Sequence, residues 1–120
     1  MLGGRLAHQR PAATDAFMLL DSERLSMTVT RVLVCNVSDA AAAFDLYHLG
    51  AAGTPSDAEA LFKDLEVAAG ETYMTPDAPL GFLEKGDRLF ARTSVADALT
   101  ITVYGTTDSA PSATLRTRGV

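Results

Sequence analysis

The protein has 120 residues, a formal net charge of −5 and a single cysteine, Cys35. That length fits one domain with its own core, and one thiol rules out an intrachain disulfide framework. The acidic balance argues against general nucleic-acid binding, which needs a basic face.

No stretch reaches the length of a membrane helix, so no membrane partner is expected. Residues 1–10 lack the apolar run of a secretion signal, so synthesis and folding in the cytoplasm are expected. The charge is unevenly spread. Residues 15–107 hold six basic and fourteen acidic side chains, a net −8; residues 1–14 add Arg5 and Arg10, and residues 108–120 hold Asp108, Arg116 and Arg118. An acidic body with basic ends suggests that the ends lie on acidic neighbours.

Residues 1–14 show no sustained periodicity and close on Arg10-Pro-Ala-Ala-Thr14, which reads as an extended N-terminal arm. Ala16 to Leu20 is a short apolar run, a first strand ended by the turn-prone Asp21-Ser22-Glu23. Leu25 to Ser38 is the strongest strand signal, rich in β-branched residues and free of Gly and Pro. Strict alternation there puts Met27, Val29, Leu33, Cys35 and Val37 on one face, with Cys35 as a small buried hydrophobe. Ala41 to Leu49 resumes the alternation, Phe44, Leu46 and His48 facing one way and Ala43, Asp45 and Tyr47 the other.

Ser56-Asp-Ala-Glu59 matches a capping box, so one or two helical turns are expected through about Phe62. Short strands follow at Leu65–Val67 and Thr72–Thr75. Leu80–Leu83 leads through the Glu84-Lys85-Gly86-Asp87 turn into Gly86–Gly105, around which the rest is organised. There Leu89, Ala91 and Thr93 alternate with Arg88, Phe90 and Arg92, and Leu99, Ile101 and Val103 alternate with Thr100, Thr102 and Tyr104. The linker Ser94–Ala98 suits a hairpin loop. Thr106 to Val120 is poor in apolar residues, and residues 108–120 read as a second arm. Many short strands with a turn signal every ten residues or so predict an all-β fold. The form expected is a single antiparallel β-sandwich, jelly-roll or Ig-like, over residues 15–107.

The chemistry of catalysis is thin. His8 and His48 have no metal-ligand companion at i+2 or i+4, and the acids fall mostly in turns, where Asp stabilises the turn itself. A Cys35/His48 nucleophile pair would need an exposed, acidified thiol. No catalytic residue, cofactor or metal is expected. Tyr104 and Arg92, on outward faces, are candidates for a partner surface.

The sequence blocks Thr30–Ser38, Ala43–Tyr47, Leu65–Thr72, Leu83–Ser94 and Leu99–Gly105 follow a recurring order. It is a core strand, Asn-x-Ser, an apolar strand, Ala-Gly-Glu-Thr, Gly-Asp-x-Leu and a Thr/Val-rich last strand. It resembles the small β-sandwich structural proteins of tailed bacteriophages and phage-like particles, gene transfer agents included. The resemblance implies a non-enzymatic virion component made in the bacterial cytoplasm: an adaptor or base joining capsid or tail to a spike or fibre. It implies a homo-oligomer that also contacts other particle proteins. A carbohydrate- or receptor-binding module at a particle tip is the alternative; a small hydrolytic enzyme is the reading left without a centre. On the leading reading the arms clasp neighbouring subunits. Leu2, Arg5, Leu6 and Arg10 are then the candidate contacts at one end, and Leu115, Arg116 and Arg118 at the other.

Overall fold

A computed structural model describes residues 2–22, 25–76 and 81–107. They form β1 (Leu2–Gln9), β2 (Phe17–Asp21), β3 (Met27–Asn36), β4 (Ala42–Leu49), β5 (Ala60–Val67), β6 (Thr72–Met74), β7 (Gly81–Leu83), β8 (Arg88–Thr93) and β9 (Leu99–Thr107). The strands make two antiparallel sheets, one ordered β1-β9-β3-β6 with β7 also on β3, the other β2-β8-β4-β5.

The chain folds back on itself between β4 and β5, and the two halves pair in reverse order. β4 meets β5, β3 meets β6 and β7, β2 meets β8, and β1 meets β9. Successive ladders fall in alternate sheets, and β3–β9 and β4–β8 pairing completes them. This is jelly-roll order. An Ig-like order would pair sequence neighbours repeatedly; among the described strands only β4 and β5 do so.

One cluster fills the space between the sheets. Val32, Val34, Leu99, Ile101 and Val103 come from one sheet and Phe44, Leu46, Leu89 and Ala91 from the other. The alternation expected for β8 and β9 is therefore present, but the two do not form a hairpin. Each buries its apolar face from the opposite side of the core. Ser94–Ala98 carries the chain across, held by Ser94 N–H to the Ala43 carbonyl and Asp97 N–H to the Pro11 carbonyl. Phe44, Phe62 and Tyr73 meet tilted or edge-on, with centroids 5.9–6.2 Å apart.

β3 departs from strict alternation. Its pairing with β9 slips between Val29 and Arg31. This β-bulge adds one residue and switches which face follows. Val32, Val34 and Asn36 are buried, while Leu33 and Cys35 are half-buried on the outer side. The expectation of Cys35 as a core thiol is corrected by this one-residue slip. The partner strand is broken at the same place. β6 lies on Leu33–Cys35 and β7 on Met27–Val29, with buried Thr75 bridging the step through its backbone and hydroxyl bonds to Val32.

One further expectation changes. Residues 2–9, expected as part of an arm, are the edge strand β1, paired with β9 from Leu2↔Thr107 to Gln9↔Ile101. The short helical turn expected after Ser56 is present as a single 3-10 turn, Asp57–Glu59. Ser56 does hydrogen bond to the Glu59 side chain at 2.6 Å, yet the helix stops because the chain from Ala60 onward pairs with β4. The expected arm at 108–120 lies outside the described residues.

Candidate functional site

Two surfaces carry side chains whose arrangement goes beyond a solvated sheet. The first is the outer face of the β2-β8-β4-β5 sheet. Asp45 and Arg92 are direct cross-strand partners. Opposite Asp45, β5 bulges: Phe62 pairs with Leu46 and Leu65 with Phe44, leaving Lys63 and Asp64 between. Asp64 adopts a left-handed backbone, φ 52°, which Asp tolerates better than most residues. The bulge aims the Asp64 amide at Asp45 Oδ1, 2.7 Å away.

Asp45 Oδ2 accepts from Tyr47 Oη at 3.0 Å, from Arg92 Nη2 at 2.9 Å and Nε at 3.2 Å, and from Lys63 Nζ at 3.5 Å. Asp45 is only 3 % exposed. Burial by itself would raise its pKa, but the Asp64 amide, the Tyr47 hydroxyl, Arg92 and Lys63 together hold it below the ordinary aspartate value. Burial and the bond to Asp45 push the Tyr47 hydroxyl up, so it stays protonated and donating. A carboxylate kept ionised, with both oxygens occupied, is a poor general base. What it does is fix Arg92 and the β5 bulge beside an open cavity of about 210 Å³, lined also by Thr14, Asp64 and Ser94.

The second surface is the outer face of the β1-β9-β3-β6 sheet. Cross-strand register builds it in rungs. Arg5, Tyr104 and Arg31 form one rung across three strands; His8, Thr102, Leu33 and Met74 form the next; Thr100, Cys35 and Thr72 form a third. The His8 Nδ1 and the Thr102 hydroxyl share a hydrogen bond of 2.8 Å, and Arg31 Nη1 lies 3.5 Å from Met74 Sδ. Met74 is 53 % and Tyr104 39 % exposed. The strands β1, β3, β6, β7 and β9 contain no Asp or Glu, whereas those of the other sheet carry Asp21, Asp45, Asp64 and Glu66.

The candidate contact residues separate accordingly. Arg5 lies on the outer face beside Tyr104, and Arg10 is exposed just past β1. Leu6 turns inward and packs on the chain's own core. Leu2 pairs through its backbone with Thr107. Leu115, Arg116 and Arg118 lie outside the described residues. Arg92 and Tyr104 sit on different sheets and do not form one surface. His48 sits at the end of β4 and donates through Nε2 to Asp87 Oδ2 at 3.0 Å, tying that strand to the turn before β8. Cys35 is two rungs into the other sheet, so the two do not form a nucleophile pair.

Of the Asp45 network only Arg92 was among the candidate residues above; Asp45, Tyr47, Lys63 and Asp64 were not. The network's only sequence signal was a charged residue in the middle of an alternating strand; its partners depend on sheet order. Compared with protein-family models, with curated proteins and with solved structures, the chain finds no match.

Proposed function

We propose that the protein is a non-enzymatic structural subunit of a tailed-phage or phage-like particle. In this reading it is an adaptor or base that joins capsid or tail to a spike or fibre, through contacts with its own copies and with other particle proteins. It would be made in the bacterial cytoplasm and assembled into the phage or phage-like particle. The observation that carries the reading is the outer face of the β1-β9-β3-β6 sheet. A solvated antiparallel face ordinarily reads polar; this one sets Tyr104, Met74, Leu33 and Cys35 among its threonines, His8 and two arginines, with no strand carboxylate. The jelly roll adds support by analogy, being an architecture used for viral capsid and lectin domains.

The test is location. An antibody against the chain should label purified particles at one fixed position, and particles lacking the chain should lose a spike or fibre. Particles free of the chain would end the reading.

A second reading, glycan or receptor recognition at a particle tip, is favoured by one observation: the polar cavity beside Arg92, Asp64, Ser94 and Thr14. A glycan-array signal abolished by Arg92→Ala would support it; an array without signal would remove it.

A further inference from the structure

Resting on the assembly reading above, we infer that the outer face of the β1-β9-β3-β6 sheet docks head to tail on the β5 edge of a second copy. The chain is acidic overall, yet the described strands of this sheet carry no acid: Arg5 and Arg31 flank the exposed Tyr104 in a single rung, with Met74 one rung away. The complementary surface is the segment around the start of β5. Residues 57–66 hold Asp57, Glu59, Asp64 and Glu66 against one lysine, Lys63, which pairs with Asp57, and Leu61, 44 % exposed, belongs to the same segment. An acidic segment that carries one exposed apolar side chain thus complements a face that carries two arginines and several apolar side chains.

The geometry decides the kind of contact. The two surfaces belong to different sheets, so one copy offers both at once. Two copies meeting through the same basic face would oppose arginine to arginine, which disfavours a two-fold contact. A heterologous contact instead propagates from copy to copy, closing into a ring when the rotation permits. β5 carries a bulge and charged side chains, features that discourage strand-to-strand extension at an edge. The contact is therefore made by side chains laid on a sheet face. The charges select partner and register, and the apolar groups supply the burial.

Sedimentation velocity on the full chain, over a range of concentration and salt, tests this directly. The wild type should self-associate, less so at high salt. The pair Arg5→Glu/Arg31→Glu and the pair Glu59→Lys/Glu66→Lys should each weaken association by about tenfold or more. The quadruple variant, with both surfaces reversed, should regain it. Should a charge variant fail to fold, Cys35 serves as a probe in the wild type, because it lies on the docking face. Its alkylation rate should fall as the protein assembles. A wild type that assembles while both pairs behave normally, or while Cys35 labelling stays constant, overturns the docking surface and leaves the assembly reading standing. A chain that labels particles but stays monomeric at every concentration overturns self-docking. A chain absent from particles overturns the assembly reading, and this docking scheme is then judged by sedimentation alone.

Discussion

Asn36 closes β3 with its whole hydrogen-bonding capacity used inside the protein. Its amide nitrogen donates to the Ala40 and Val67 carbonyls at 2.8 and 2.9 Å, and its oxygen accepts from the Ser38 amide and hydroxyl at 2.9 and 2.7 Å. The Asn-x-Ser pattern in the sequence is thus a strand terminator that ties the ends of β3 and β5 together. Asn36→Ala should lower stability by about 1–3 kcal/mol in urea unfolding, because the buried Val67 carbonyl loses its side-chain donor. Asp45 makes a pH-dependent counterpart. Its pKa is held below the ordinary value in the folded protein, so its stabilising contribution is complete above the unfolded value, about 3.9. That contribution is lost as pH falls through the lower folded value. Asp45→Asn should be less stable than wild type at neutral pH, and the gap should shrink progressively below about pH 3.9. A gap that is constant with pH would mean that the carboxylate's charge contributes nothing. That Asp45 and Tyr47 point away from Phe44 was legible from alternation; that Lys63, 18 residues on, and Arg92, 47 residues on, meet them was not, because the strands that carry them had first to be assigned to sheets.

Period-two patterning located the strands well and failed where a strand gains a residue. In β9, Leu99, Ile101 and Val103 are fully buried as the alternation required. Ile101→Ala should cost about 2–5 kcal/mol through lost transfer energy and a cavity. Thr102→Ala, beneath the edge residue His8 and 9 % exposed, removes one hydrogen bond, a loss of about 0.5–1.5 kcal/mol; a loss equal to that of Ile101→Ala would mean that the outer face of β9 is packed like the core. In β3 the bulge reverses the face, and no feature of Thr30-Arg31 announces it. Gly105 is its nearest signal. A Cβ there would lie 2.1 Å from the Thr28 carbonyl oxygen and 2.9 Å from Leu6 Cδ1, so β9 presses on β3 where only glycine fits. Gly105→Ala should therefore destabilise by at least the roughly 1–3 kcal/mol typical of an overpacked core. Half-buried Cys35, on the outer side of the same strand, should react with a small alkylating reagent without unfolding when the protein is dilute.

At the scale of the whole molecule, sequence reasoning placed the class of fold correctly and misplaced one edge. Leu2–Gln9 looked like an arm because an edge strand needs little alternation: Gly3, Gly4, Arg5, His8 and Gln9 are exposed, while Leu6 and Ala7 lean on the core. Its hold comes from backbone pairing to β9, which composition does not display. A chain lacking residues 1–9 should consequently lose more than an arm. It bares the β9 edge, an open template for pairing with other chains, and should unfold at lower denaturant and aggregate. Thermal unfolding and light scattering measure both; a shortened chain as stable and soluble as the full one would return the segment to the status of an arm.

The reversed pairing of the two halves also sets an order of events. Apart from β4 with β5, each ladder joins segments far apart in the chain, ending with Leu2 beside Thr107. Of the described strands, β1 is made before the others and waits for β9 before it has a partner, while the β2-β8-β4-β5 sheet is complete only once β8 has been made. Such non-local topologies fold slowly, in milliseconds to seconds, because loops must close before contacts compensate them. The β4–β5 ladder is the natural starting point. Refolding followed by stopped flow should be slowed by Leu46→Ala in β4 and left nearly unchanged by Ala7→Gly in β1, whose loss should appear in the unfolding rate instead.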